Sequence, residues 1–228
     1  MSRSPERHRQ KTTRMDEAYR RLKQEILENR LPPGYQAMES DLAENLRMSR
    51  TPVREALIRL QNEGMVEIIP RRGMRVLPLS ASDMREIYEV LTCIESEAAA
   101  LLAQQKPDEN ELAPLINASA AMEEAIEMDD LEAWSKADSG FHRGLMDLCG
   151  NRRFADIASK YLDQAHRARL FTLRLRQKPR RSTRDHKEHI RLILKGESEQ
   201  VRRSYRQHRE RTRQELMEII GKYKINTL

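Results

Sequence analysis

Apolar positions recur at two different periods along this chain. Leu42, Ala43 and Leu46 share one face of a short helix, and Val53, Ala56, Leu57 and Leu60 repeat helical spacing soon afterwards. Only Arg47-Met48-Ser49 stands between them, so the chain must turn sharply. Ser49 suits the N-cap of the second helix, because its oxygen can accept an N–H that a helix start leaves unpaired. Gly64 suits a left-handed residue just past the C-terminus. The period then shortens. Met65-Val66-Glu67-Ile68-Ile69 and Met74-Arg75-Val76-Leu77 are β-branched-rich runs, joined by Pro70-Arg71-Arg72-Gly73 as a hairpin with a cationic tip. The order predicts a winged helix-turn-helix.

Beyond residue 78 the periodicity is helical throughout, and six helices are expected. Ser82-Asp83 opens one that carries Met84, Ile87, Val90, Leu91 and Ile94. Pro107-Asp108 breaks it and starts a second through Leu112, Leu115, Ile116, Ala120 and Met122. Asp129-Asp130 begins a third, with Trp134, Phe141 and Leu145. Gly150-Asn151 precedes a long fourth that runs through Leu175, and Pro179 ends it. A fifth carries Ile190, Ile193 and Leu194 up to Gly196, and the sixth spans about Glu197 to Lys222. The predicted fold class is therefore mainly α: an N-terminal winged helix-turn-helix with a small β-hairpin, then an all-α helical bundle.

Length and charge refine the division. A chain of 228 residues suits two domains. We divide it into a flexible basic arm over 1–10, a winged helix-turn-helix over 11–78 and a helical domain over 79–228. Residues 1–78 hold 16 Lys/Arg against 11 Asp/Glu, residues 79–149 hold 4 against 16, and residues 150–228 hold 22 against 9. The basic first segment suits a polyanion. The opposed charges of the other two suggest that they pack together. Cys93 and Cys149 lack a CxxC spacing and read as buried thiols. With no run of about 18 apolar residues and no apolar stretch near the N-terminus, no membrane span and no secretory signal are expected, and the location expected is cytoplasmic.

The second helix of the N-terminal motif opens with Ser49, Arg50, Thr51 and Arg54. A recognition helix enters the major groove N-terminus first. Arginine can there bind both acceptors of guanine. Hydroxyls and helix N-terminal amides suit phosphate oxygens. Arg71, Arg72 and Gly73 at the wing tip are further candidates for double-stranded DNA. For any one of these residues, a solvated polar cap explains the type equally well. The whole order from helix to wing is what points to DNA.

In the helical segment, Asp138 and His142 lie at i and i+4, on one helical face. His186 and His208 are 22 residues apart, with Gly196 between them. If their helices run antiparallel, both imidazoles reach the same height. Three imidazoles and a carboxylate suit one divalent ion of the Zn, Ni or Mn class. Spacing alone leaves a surface Asp–His pair and solvated histidines open, and His189 and His166 compete as ligands.

The stretches Leu31-Pro32-Pro33-Gly34, Glu39-Ser40-Asp41-Leu42-Ala43, Ser49-Arg50-Thr51-Pro52-Val53-Arg54-Glu55-Ala56-Leu57 and Gly64-Met65-Val66 closely resemble the GntR family of bacterial transcription regulators. The remainder resembles the FCD effector domain of its FadR-type branch. Asp138-Ser139-Gly140-Phe141-His142, Asp185-His186 and Lys195-Gly196-Glu197 with His208 match that domain's metal-ligand pattern. The resemblance selects His186, since His189 falls where the family usually has an aliphatic residue. It departs at two positions. Ser40 stands where many relatives have Arg, which alters one common DNA contact. Arg47 replaces a frequent glycine, which strains the turn or adds a phosphate contact.

The resemblance implies a homodimer that reads a near-palindromic operator, repression of its target with activation left open, and control by a small organic-acid effector bound at the metal. Arg167, Arg169 and Arg174 are candidates to clamp its carboxylate, with a solvated face or a dimer contact as the plainer reading of each. Two other classes remain open at this level: a metal-dependent enzyme fused to a DNA-binding module, and a DNA-binding protein whose bundle only dimerises. No convincing nucleophile or general base accompanies the proposed ligands, so a non-enzyme is expected.

Overall fold

A computed structural model describes residues 13–225, and the basic arm expected over 1–10 lies outside them. The chain divides near residue 77 into two compact units. The first comprises α1 (Arg14–Leu27), β1 (Gln36–Ala37), α2 (Glu39–Leu46), α3 (Arg50–Asn62), β2 (Val66–Ile69) and β3 (Gly73–Val76). The opening helix α1 was not singled out from the sequence. It buries Ala18, Tyr19, Leu22 and Ile26. The Tyr19 hydroxyl donates to Glu63 at 2.7 Å, and the Arg59 guanidinium lies 3.7 Å from the Tyr19 ring centre, so α1 is tied to the end of α3.

In the helix-turn-helix the strain expected at Arg47 is present, whereas the cap expected from Ser49 is not. Arg47 adopts the left-handed conformation (φ 56, ψ 47) that glycine would enter freely, at a cost of about 1–2 kcal/mol for a residue with a Cβ. Ser49 stands at the N-cap of α3, yet its hydroxyl makes no capping bond. The reason lies three residues on. The N–H that a capping hydroxyl often takes belongs to the third helical residue, and that residue is Pro52, which has none. At the other end Gly64 (φ 71) donates to Gln61 and Met65 donates to Leu60, a paired closure of the helix C-terminus.

The wing is a three-stranded antiparallel sheet in the order β1-β3-β2, one strand more than the hairpin expected. Val66 faces Val76 across β2 and β3, and Gln36 faces Arg75 across β1 and β3. A two-residue strand carries no periodicity, so β1 leaves no pattern in the sequence. Its position is fixed by the close approach at Gly73 (φ 80), where a Cβ would lie 2.0 Å from the Ala37 carbonyl oxygen.

The second unit contains six α-helices among the described residues: α4 (Ala81–Gln104), α5 (Ala113–Glu127), α6 (Leu131–Leu148), α7 (Arg152–Thr172), α8 (Arg180–Leu194) and α9 (Ser198–Lys222). A short 3-10 turn, Leu173–Leu175, extends α7. Side-chain caps mark three of the six helix starts. Ser80 and Asp83 form a reciprocal capping box at α4, two residues earlier than the expected start. Asp130 caps α6 and Asn151 caps α7. Helix α5 begins later than Pro107-Asp108, because Asp108 and Glu111 bond to each other's backbone and hold that stretch as a turn.

Helix α4 runs through the middle of this unit, against α9, α7, α6 and α8. Leu91, Ala98, Ala99, Phe141, Leu145, Val201 and Tyr205 are among the residues sealed in its core. Each large apolar side chain so buried contributes about 1.5–3 kcal/mol. The same interior holds Glu95, Asp138, His142, His186, His189, His208 and Arg209. Burying such groups is costly unless they are paired, and most of these are paired with one another. Among the described residues no helix is long and apolar enough to cross a membrane.

Candidate metal centre and nucleic-acid interface

Three helices bring the polar cluster together. On α6 the one-turn spacing places Asp138 and His142 side by side. Gly196 (φ 72) turns the chain between α8 and α9, with its N–H on Ile193 and that of Glu197 on Leu192. This return sets the His186 and His208 rings 4.9 Å apart. His142 lies 5.1 Å from His186 and 6.3 Å from His208, centre to centre. One ring nitrogen from each of the three falls within 4.8 Å of the others. Asp138 Oδ1 is 3.0 Å from His186 Nε2 and 3.6 Å from His142 Nε2.

Outer partners fix two of the rings. The Nδ1 of His142 meets the Tyr205 hydroxyl at 2.8 Å, Arg209 Nη2 at 3.0 Å and Glu95 Oε1 at 3.3 Å. The Nδ1 of His208 is 3.0 Å from Asp185 Oδ2. Both contacts leave Nε2 for the centre of the cluster. Carboxylates behind ligating imidazoles orient the ring and raise its basicity as a ligand. Arg209 is paired with Glu95, and Arg211 with Asp185.

The charge states suit a cation. Burial pushes the His186 imidazole down from its ordinary range, and Asp138 only partly offsets this. His208 is held further down by burial and by the surrounding imidazoles and Arg209. Both are thus neutral and able to ligate. Burial would raise the Asp138 carboxyl, but Arg169 and His142 outweigh it and hold the group well below the usual carboxylate range. Glu95 is likewise brought to about 2, since Arg209 and His142 overcome its burial. Asp138 Oδ2 and His186 Nδ1 are buried without a hydrogen bond. Neutral imidazoles beside one carboxylate, with an unsatisfied carboxylate oxygen, fit a borderline divalent ion.

The His189 ring lies against the triad, 5.8 Å from His186 and 5.6 Å from His208 centre to centre, but its nitrogens are not in the group that falls within 4.8 Å of one another. His189 stacks on the Tyr205 ring at 4.4 Å, behind the cluster, and neither of its nitrogens makes a hydrogen bond. His166 meets the Ser139 hydroxyl at 2.7 Å. Burial and the nearby Arg169 and Arg143 lower it to about 3.

A cavity of about 520 Å³ opens onto Asp138, His142 and His208. Of the three arginines expected to meet an effector, only Arg169 lines it, 3.4 Å from Asp138 Oδ2. Arg167 is buried elsewhere, with its pKa lowered to about 10 by burial, and Arg174 is exposed. Helical rotation separates them, since residues two apart point to different faces. Four residues not foreseen also belong to this region: Glu95, Tyr205, Arg209 and Arg176. Glu95 and Arg209 had a signal, as each interrupts an apolar stripe, Leu91 to Ala99 on α4 and Tyr205 to Leu216 on α9. Arg176, in the connection after the 3-10 turn, had none.

In the first unit Ser40, Ser49, Arg50, Thr51, Arg54, Arg71 and Arg72 are all exposed. The Arg50 and Arg54 side chains are 71% exposed, and Glu39 holds both loosely, at 3.9 and 4.0 Å. They lie one turn apart on α3, on the exposed flank of the stripe formed by the buried Val53, Ala56, Leu57 and Leu60. Arg71 takes a left-handed conformation (φ 64) at the wing tip. Gly73 is buried under β1, which gives it a steric role in the sheet.

Residues 14–76 match the bacterial regulatory proteins of the gntR family, and residues 86–211 match the FCD domain. The chain belongs to the GntR family. Over 135 residues it is 44% identical to an uncharacterized HTH-type transcriptional regulator in the TAR-I ttuE-ttuC' intergenic region of Agrobacterium vitis, covering 58% of this chain and 79% of that one. Over 161 residues it is 26% identical to the HTH-type transcriptional repressor GlaR of Escherichia coli, covering 69% and 73%. Among solved structures, E. coli McbR/YncC shares the fold with a TM-score of 0.80 at 19% identity, covering 93% of this chain and 100% of that one. A GntR regulator from Rhodococcus sp. RHA1 aligns with a TM-score of 0.74 at 21% identity, covering 91% and 98%. This GntR protein is a DNA-binding transcriptional regulator with an FCD domain, and not an enzyme.

Proposed function

We propose that this regulator works in the bacterial cytoplasm as a homodimeric repressor whose grip on a near-palindromic operator is set by a small organic acid at a metal centre. The observation that carries this reading is the convergence of Asp138, His142, His186 and His208 at one end of the cavity. A divalent ion there would supply open coordination positions for a carboxylate oxygen. Around it, Glu95 and Asp185 orient His142 and His208, and Arg169 shares Asp138. The deep burial of Glu95, Asp138 and Arg169 strengthens the charge–charge contacts they make.

On the DNA side, Arg50 and Arg54 read base edges, Ser49 and Thr51 take phosphate oxygens, and Arg71 and Arg72 add wing contacts. Ser40 is too short for the base contact that an arginine would make at that position. Two copies are needed because one winged helix reads a single half-site. An effector changes operator affinity only by binding the two DNA-binding arrangements unequally.

The test couples metal content to DNA binding. Wild type reconstituted with Zn²⁺, Ni²⁺ or Mn²⁺ is expected to hold one ion per chain by native mass spectrometry, and L-malate is expected to shift operator affinity. His186→Ala is expected to lose both the ion and the malate response while still binding operator. Full metal occupancy in His186→Ala, or none in reconstituted wild type, refutes the metal centre. A monomer at micromolar concentration in sedimentation refutes the dimer.

A further inference from the structure

The cavity holds a second group of unsatisfied polar atoms, separate from the imidazoles. Arg169 Nε and Nη2, Arg176 Nη2 and the Tyr88 hydroxyl are buried without a hydrogen bond. All three residues line the cavity that also reaches Asp138, His142 and His208. Their surroundings differ from those of Arg209 and Arg211 in the same cavity, while Arg181, which also lines it, is exposed to solvent. Arg209 is matched by Glu95, and Arg211 by Asp185 and Glu215. Arg169 has only a share of Asp138. Arg176 pairs with no carboxylate. Its Nε donates to Thr172 Oγ1 at 3.1 Å, which anchors the guanidinium and leaves Nη2 unused. Burial opposes its charge, and Glu215 and Asp138 act on it only at longer range.

A buried guanidinium without a counter-ion is costly, and an anion removes that cost. With a divalent ion beside Asp138, the charges of Arg169 and Arg176 leave this end of the cavity strongly positive. One carboxylate on the ion would leave both arginines and Tyr88 unmatched.

We propose that Arg176, Arg169 and Tyr88 form a second carboxylate subsite, so that the effector is a small dicarboxylate with one carboxylate at the metal and the other here. The inference rests on the metal-centred reading given above. A planar guanidinium can take a carboxylate through two parallel N–H bonds, and the Tyr88 hydroxyl supplies a further donor. A monoacid that carries a methyl group in place of the second carboxylate leaves these donors unpaired in a buried site. Sites built on polar pairing reject such analogues strongly.

The experiment compares two acids that differ only at that end, L-malate and 2-hydroxybutyrate, by calorimetry on full-length protein loaded with Zn²⁺ or Ni²⁺. Malate is expected to bind at least about tenfold more tightly, as one charge-assisted pair implies. Arg176→Gln is expected to bring the two acids within about threefold of each other while metal content stays at the wild-type level, and Tyr88→Phe to narrow the gap in the same direction. The Tyr88→Phe protein keeps the core filled, so it serves if Arg176→Gln fails to fold. Equal affinities in metal-loaded wild type overturn the dicarboxylate inference alone, whereas no binding of either acid overturns the organic-acid reading as well. A preference that survives both substitutions overturns the residue assignment. Failure of the wild type to take up metal overturns the metal reading and this inference with it.

Discussion

Glu95 on α4 and Arg209 on α9 form an ion pair wholly sealed from solvent, and Arg209 also places its Nη2 3.0 Å from His142 Nδ1. Two helices distant in sequence are thereby locked behind one imidazole. Removing one partner leaves the other charge buried and alone, so Glu95→Ala is expected to cost about 3–5 kcal/mol in urea unfolding. Replacing both, as Glu95→Leu with Arg209→Met, is expected to restore much of that stability. It should still weaken metal affinity by about 10–100-fold, because His142 loses its orienting partners. If the joint change were as destabilising as the single one, the two groups would not act as a pair.

The two histidines of α8 should separate cleanly. His186 faces Asp138 and His208, whereas His189 stacks behind them on Tyr205. His186→Ala is expected to abolish metal binding and His189→Ala to retain it at one ion per chain, both read by native mass spectrometry. Loss of the ion in both variants would show that His189 contributes to the site.

Acid should destabilise the metal-free protein in a defined window. His166, His186, His189 and His208 all have folded pKa values below the ordinary range near 6.5, with burial the leading cause for each. Below that range the unfolded chain takes up protons that the folded chain refuses. Their contribution is therefore complete above about pH 6.5 and falls as pH drops toward the lowered folded values. Glu95, held at about 2, loses its contribution only at far lower pH, below the ordinary carboxylate range. His189→Leu is expected to flatten the decline in Tm between pH 7 and 5. An unchanged slope would place the acid sensitivity elsewhere.

Operator discrimination should reside on the open face of α3. Arg50→Ala and Arg54→Ala are each expected to cost about 1–3 kcal/mol on operator and to erase preference over random DNA in a gel shift. Loss of Arg71 or Arg72 in the wing should instead weaken all sequences alike and flatten the salt dependence. Undiminished discrimination in both α3 variants would remove that helix from base reading.

The helix-turn-helix turn offers a stability gain with a functional cost. Arg47→Gly is expected to raise stability by about 1 kcal/mol, because glycine enters the left-handed region freely. If the Arg47 cation meets a phosphate, the same change should reduce the salt slope of DNA binding by about 0.9. Unaltered salt dependence would assign Arg47 a purely conformational place.

The elements best legible in the sequence were those with long apolar stripes, such as α4, α6 and α9, and those with strong caps, Asp130 and Asn151. Short elements were not. Strand β1 has two residues, too few for any period, and exists because Gly73 lets Ala37 approach. The Asp138–His142 spacing showed a shared face, and the Gly196 turn made the height of His186 and His208 calculable once the helices were taken as antiparallel. Spacing could not show which face of α7 meets the cavity, so Arg169 stood with Arg167 and Arg174 on equal terms. Arg176 sits in an aperiodic connection, where sequence says nothing of direction. The missing Ser49 cap was legible in principle, since Pro52 is visible three residues later.

Gly73 carries a lesson for genetic screens. It has no side chain, lies under β1 and needs φ 80, with the Ala37 carbonyl where a methyl group would go. A saturation library scored for operator recognition would find almost no tolerated replacement there. By that measure position 73 would rank beside Arg50, yet for an unrelated cause: Arg50 is proposed to read bases, whereas Gly73 keeps three strands in register. Intolerance to substitution in this wing therefore maps the seam of a sheet as readily as a line of contact with DNA, and only a folding readout measured in parallel tells them apart.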